Sequence, residues 1–212
     1  KFMEVLSKYK KEELLNTISH GLGILLGIIG FFLLLKKSAD KTNFAVLGIY
    51  IYSFSTILLY SASTLYHAIA KPSVKKKFRI LDHISIYFLI AGTYTPVALI
   101  TLVNGNGWLI FAIVWGIALF GTILKLFFTG KYEILSLLLY LVMGWLIVFD
   151  FSSLMDATSA SGIKLLMLGG AFYTLGILFY AIKKIPYNHF IWHLFVLGGS
   201  ISHWFFIYID VV

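Results

Sequence analysis

The stretch "HFIWHLFVLGGSISHWFFIYIDVV", residues 189–212, decides the fold. It opens with two histidines four residues apart and continues through side chains apolar enough to lie inside a lipid bilayer. A membrane-spanning helix needs about 20 mostly apolar residues, and this run supplies them. Residues i and i+4 share one helix face, so His189 and His193 point the same way. Imidazoles inside a bilayer are costly and mark functional sites. The question is what these two hold.

The rest of the chain reads in the same terms. It has 212 residues, 60% hydrophobic and 12% charged, with a mean hydropathy of +0.92. A soluble domain has about 45–50% apolar and about 25% charged residues, so a water-soluble globular protein is excluded. There is no cysteine, which rules out disulfides and thiolate metal sites and leaves His, Asp, Glu and hydroxyls as ligands. The net charge is +8. In a soluble protein that would point to nucleic acid. Here the lysines punctuate apolar runs, so they set topology and meet anionic head groups, and no nucleic-acid partner is expected.

Seven spans are predicted, near residues 17–35, 44–70, 80–103, 107–128, 133–154, 163–182 and 187–210. Polar stretches such as "KKSADKTN", "KPSVKKKF", "TGKYE" and "KKIPYN" fall in the gaps. The connections are short, so residues 1–212 form one all-α, seven-helix transmembrane bundle, with residues 1–15 as an N-terminal segment. That first run follows about 15 polar, Lys-rich residues and is long enough to span, so it does not read as a cleavable signal peptide. Lys1, Lys8, Lys10, Lys11, Lys71, Lys75, Lys76, Lys77, Arg79, Lys125, Lys131, Lys183 and Lys184 fall on one side, against Lys36, Lys37, Lys41 and Lys164 on the other. The positive-inside rule then puts the N-terminus and residues 1–15 in the cytoplasm and the C-terminus outside, opposite to G-protein-coupled receptors. Gly23 and Gly27 make a small-xxx-small pair for close packing of the first helix. No internal repeat, low-complexity segment or nucleotide-binding glycine loop is present.

The polar groups collect at one depth. His67 lies four residues before Lys71, Asp82 three after Arg79, and His189 and His193 five and nine after Lys184. At about 1.5 Å rise per residue, all four sit roughly 5–13 Å inside the predicted cytoplasmic face. Ser63 shares a helix face with His67. Three imidazoles, His67, His189 and His193, with a carboxylate nearby form a ligand set for Zn²⁺, and catalytic zinc commonly keeps a fourth position for water. Bound zinc lowers the pKa of water toward about 7. Asp82 could orient that water or act as general base, and Ser63 could hydrogen-bond to it. This is not the HExxH pattern of zinc proteases, because no glutamate lies between His189 and His193.

The remaining polar groups take other parts. His20, in "NTISHGLG", lies near the same level and reads equally as a supporting donor or as packing. His83 is rotated about 100° from Asp82, so it is expected to bond to a neighbour or face head groups. His203 is ten residues beyond His193, about 15 Å deeper, and so belongs to no shared site. Asp150 and Asp210 read as interfacial. In "AGTYTPVAL", Pro96 is expected to kink the third span, with Thr93 and Thr95 satisfying freed carbonyls and a cavity opening below the site.

These residues resemble the hemolysin III family, the bacterial branch of the progestin and adipoQ receptor superfamily that includes the adiponectin receptors. Ser63 to His67 in "SASTLYH" fits the family's SxxxH element, Asp82 in "LDHISIYFLIAGTYTP" its third-span aspartate, and His189 to His193 its HxxxH element. The resemblance covers essentially the whole chain. It implies zinc held by His67, His189 and His193, with Asp82 acting through a water. It also implies a ceramidase-like hydrolase of a lipid amide or ester with a role in membrane lipid homeostasis, in the plasma membrane of a bacterium. A membrane lipid would be its substrate or ligand. The family name suggests a pore-forming cytolysin as the alternative, and a non-catalytic membrane-state sensor with a structural zinc is a third reading.

Overall fold

The computed structural model of the chain describes residues 2–38 and 41–212, with side chains from Lys10 onward. Lys1 and residues 39–40, which entered the charge and loop assignments, lie outside the described residues, as does the side chain of Lys8. All the regular structure among the described residues is helical: α1 Phe2–Ser38, α2 Ala45–Ala68, α3 Pro72–Pro96, α4 Gly107–Phe128, α5 Glu133–Gly144, α6 Phe151–Ala157, α7 Ala160–Ala181 and α8 Asn188–Phe206. A five-residue 3₁₀ turn joins α5 to α6, and π-helical turns extend α3 to Thr101 and α8 to Val211. Seven segments are long and apolar enough to cross a membrane: Lys10–Ser38, Ala45–Ala68, Pro72–Thr101, Gly107–Phe128, Glu133–Ala157, Ala160–Ala181 and Asn188–Val211.

Two helices begin earlier than hydropathy predicts. The third span starts at Pro72 rather than near residue 80, because proline pre-sets the φ of a first helical residue and the basic turns of "PSVKKKFR" are helical despite their polarity. The first helix reaches back to Phe2, so the polar residues before position 17 ride on a helix.

The spans pack as a closed ring. Helix α1 lies between α2 and α8, α3 packs on α2 and α4, α5 touches both α3 and α7, and α7 packs along α8. The main core cluster joins Ile49, Tyr87, Val114, Leu154 and Ile207. A smaller one, Leu59, Tyr60, Leu89, Val196 and Leu197, ties α2, α3 and α8 together. The outside remains apolar, with Phe149 89% exposed, as lipid-facing helices require. Gly23 does what the small-xxx-small spacing predicts, since a Cβ there would collide with the Tyr60 ring.

Pro96 ends the regular part of α3, and the five residues after it form the π-helical turn, a known response to a broken hydrogen-bond ladder. The threonines act differently from expectation. Thr93 Oγ1 donates to Leu89 O at 2.7 Å and Thr95 Oγ1 to Ala91 O at 2.8 Å, whereas the carbonyl that Pro96 frees, four residues back, is that of Gly92. Ser55 packs against Gly92, where any Cβ would clash.

Candidate metal centre

His67, one residue before the end of α2, meets His189 and His193 from the first two turns of α8. One ring nitrogen of each lies within 4.8 Å of the others. His67 Nε2 and His189 Nε2 are 3.2 Å apart. Ring centroids are 5.0 Å apart for His67–His189, 4.9 Å for His67–His193 and 4.7 Å for His189–His193. His67 and His193 are buried. Helix α8 presents its pair abruptly because Tyr187, at φ 55°, turns the chain in the left-handed region and Asn188 Nδ2 donates to Phe179 O at 2.9 Å.

The donor chemistry suits a metal ion. Two Zn–N bonds of about 2.0–2.1 Å at a tetrahedral angle span an N···N edge of about 3.3 Å, close to the His67–His189 separation. Hydrogen bonds at the opposite ring nitrogen set the tautomers of His193 and His67. Ser19 Oγ donates to Asn16 O at 3.0 Å, so toward His193 Nδ1, 3.3 Å away, it accepts. His193 therefore carries its proton on Nδ1 and leaves the Nε2 lone pair free. His67 Nδ1 lies 3.3 Å from Glu13 Oε1 and 3.4 Å from the Asn16 amide. A proton on Nδ1 donates to the carboxylate and again frees Nε2. Carboxylate and hydroxyl groups behind ligating histidines orient them and raise their basicity. His67, His189 and His193 could thus hold a metal ion.

Glu13 is itself braced. Its Oε2 accepts from Lys75 Nζ at 2.5 Å, and Lys75 also donates to Tyr66 O at 2.8 Å. Glu13, Asn16, Ser19 and His20 all belong to α1 and face the site together. Sequence reading by hydropathy passed over Glu13, Asn16 and Ser19, because it started the span near residue 17 and searched the next turn for ligand-type side chains alone. The signal was available in the i, i+3, i+7 spacing of Glu13, Asn16 and His20, which puts all three on one helical face.

Asp82 and Ser63 lie beside His67 and line the same end of a cavity as His20, His189 and His193. The Ser63 hydroxyl faces Asp82 without closing a hydrogen bond. The cavity has about 1060 Å³ of free space including its mouth. It runs between α3, α5, α7 and α8 to Tyr94, Trp145, Gly170 and His203. A second hollow shares those residues and continues to Leu154 and Phe206. From His193 to Phe206 the helix rises about 20 Å, more than half the bilayer's hydrocarbon core of about 30 Å.

The other histidines sort as their positions predict. His203 is far along the cavity, with Nε2 3.1 Å from Leu166 O, and takes no part in the triad. His83 turns toward Glu133, with Nδ1 3.9 Å from Oε2, and Glu133 also accepts from the buried Lys125 at 3.0 Å. Asp150 is buried and accepts from Ser153 at 2.6 Å. Asp210 accepts from Ser159 at 2.9 Å. His20 packs parallel on His193.

Comparison with known proteins agrees with this pattern. The chain is 45% identical over 204 residues to a protein named Hemolysin-3 from Bacillus cereus, covering 96% of this chain and 93% of that one. It is 43% identical over 196 residues to the Hemolysin-3 homolog of Bacillus subtilis (strain 168), covering 92% of each. It is 32% identical over 210 residues to the human monocyte to macrophage differentiation factor, covering 93% of this chain and 83% of the relative. The family model described as Haemolysin-III related matches residues 8–204, and this chain belongs to that family.

Proposed function

We propose that this protein is a zinc-dependent hydrolase of a lipid amide or ester, acting in the plasma membrane of a bacterium and serving membrane lipid homeostasis. One observation carries the reading. Three imidazoles whose free nitrogens converge stand beside a carboxylate, and two of them, His189 and His193, line the polar end of a long apolar cavity. Pockets that pair an apolar body with a few convergent polar groups bind ligands of matching shape, and a lipid has that shape.

Zinc in this position would polarise a carbonyl oxygen and lower the pKa of a water toward about 7. His67, His189 and His193 would hold it through Nε2. Asp82 would accept the proton of the attacking water at its carboxylate and deliver it to the leaving amine or alcohol, the usual task of a general base placed beside its reactant. Ser63 Oγ, which lacks a partner, would hydrogen-bond to that water or to the substrate carbonyl. The apolar walls would hold the tail in register, so that the scissile bond stops beside Asp82.

A structural zinc site is closed by four protein ligands. Among the described residues only three metal-binding side chains converge, which favours catalysis over a purely structural ion. The name Hemolysin-3 carried by the Bacillus cereus relative raises a cytolysin as the competing reading. A pore former that attacks from solution must first survive in water, and a chain that is 60% hydrophobic would aggregate there. Lysis would then follow from altered lipids.

The test is metal analysis with hydrolysis assays on ceramide-like amides and on ester lipids. About one zinc per chain is expected, lost in His67→Ala and His193→Ala, together with hydrolysis that disappears in Asp82→Ala. A zinc-loaded protein inert toward the whole lipid panel would refute the hydrolase, and dye release from liposomes treated with added protein would support the cytolysin instead.

A further inference from the structure

We propose that His20 binds the carbonyl-bearing head of the lipid at the polar end of the cavity and takes no part in ligating the metal. The inference rests on the metal-dependent reading above and assigns a task that reading leaves open.

His20 is 3% exposed, and neither of its ring nitrogens closes a hydrogen bond, the nearest protein acceptor being the His193 backbone carbonyl, which it faces without good geometry. A neutral imidazole carries one N–H and one lone pair. Burying both unmet is costly, so such groups in native proteins call for an explanation. His67 and His193 differ, since each has its Nδ1 satisfied from α1. His20 lines the same cavity as His193, Asp82 and Ser63. Tyr60 packs edge-on against it, with centroids 5.1 Å apart, and the Tyr60 hydroxyl faces Ser200 without closing a hydrogen bond, so that phenol does not satisfy the imidazole.

A fourth-ligand role would also explain unmet nitrogens, but the ring geometry rejects it. The His20 and His193 rings stack at 3.6 Å between centroids with only 7° between their planes. A metal sits in the plane of each imidazole that binds it, along the nitrogen lone pair. Two nearly parallel planes one ring thickness apart share no such point, so an ion on His193 Nε2 is out of reach of a His20 lone pair. The His20 edge is instead displaced from the ion by one ring thickness. That is where an atom bound next to the ion would sit, either a carbonyl oxygen accepting from the imidazole N–H or a substrate hydroxyl or amide donating to its lone pair.

Cobalt-substituted protein in nanodiscs, titrated with oleate as a carboxylate-headed lipid probe, separates these roles. Wild type is expected to take up about one Co²⁺, and oleate to shift its visible spectrum. His20→Phe, which keeps the stacked ring, is expected to hold Co²⁺ as tightly as wild type and to bind oleate about tenfold more weakly, the loss of one hydrogen bond to a charged partner. His20→Gln, which keeps a donor and an acceptor, is expected to recover part of that loss, and it serves alone if the phenylalanine variant does not fold. Weakened Co²⁺ binding in either variant, on the scale of His193→Ala, would make His20 a ligand and overturn the inference. Unchanged oleate affinity would assign the two nitrogens to buried water and overturn it as well. A wild type that takes up no Co²⁺ would sink the metal-dependent reading itself, an outcome distinct from both.

Discussion

Glu13 Oε1 lies 3.3 Å from Nδ1 of His67 although 54 residues separate them. The contact links the polar beginning of the first span to the last turn of the second, and it gives the proton on His67 a fixed place. Removing it is expected to leave the ligands present and poorly aimed. Glu13→Gln should weaken metal binding about 10- to 100-fold, the usual consequence of losing an outer carboxylate behind a ligating histidine. Lys75→Met, which removes only the brace on Glu13, should cost less. Competition for zinc against a calibrated chelator measures both, and wild-type affinity in Glu13→Gln would show that α1 merely packs.

Asp82 and the three histidines should separate in a second experiment. Asp82→Asn is expected to retain about one zinc per chain and the thermal stability of wild type, while lipid hydrolysis falls by about 10²- to 10⁴-fold, the range for loss of a general base. Metal loss equal to that of His67→Ala would place Asp82 among the ligands.

Much of this arrangement could be read from the chain. The HxxxH pair and Ser63–His67 declare their faces through helical spacing, and seven apolar runs separated by short polar stretches fix the class of fold. What escaped has a common physical cause. Hydropathy finds the part of a helix that lies in lipid and is blind to polar turns that extend it. The start of α3 at Pro72 was therefore missed, and so was the helical turn that carries Glu13. The stacking of His20 on His193 is a property of how α1 leans on α8, which no local pattern in "NTISHGLG" encodes. The expected role of Thr93 and Thr95 at Pro96 was overestimated for a similar reason: proximity in sequence to a proline does not say which carbonyl a hydroxyl reaches.

Lys125 gives a prediction about stability rather than chemistry. It is 1% exposed and donates to Glu133 Oε2 at 3.0 Å, while Glu133 Oε1 accepts from Gly130 N at 3.1 Å. The pair therefore staples the turn between α4 and α5, where Gly130 adopts φ +87°. Breaking a buried pair from one side is costly because the survivor is left uncompensated. Glu133 is 32% exposed in its side chain, so water recovers part of that loss, and Lys125→Ala should destabilise by about 1–3 kcal/mol. Lys125→Met with Glu133→Gln should be less damaging than Lys125→Ala alone. Thermal unfolding in a single detergent compares them, and equal melting temperatures for Lys125→Ala and wild type would deny the staple.

The far end of the cavity should set the length of the chain it accepts. Gly170 lines both hollows, and a Cβ built there would meet only Trp145, at 3.7 Å, an ordinary contact. A larger side chain is therefore sterically admitted and must project into the open space between α5 and α7. Leucine also favours a helix interior over glycine by about 1 kcal/mol, so Gly170→Leu should fold at least as well as wild type. Its effect should fall on substrate alone. Lipids with short acyl chains, which stop before Trp145, should be hydrolysed at close to the wild-type rate, and those with long chains about tenfold more slowly, consistent with expulsion of one or two methylenes from an apolar pocket. Hydrolysis rates across a chain-length series read this directly. A uniform loss at every length would mean that the side chain disturbs the helices rather than fills the channel, and no loss at any length would mean that the lipid tail lies elsewhere.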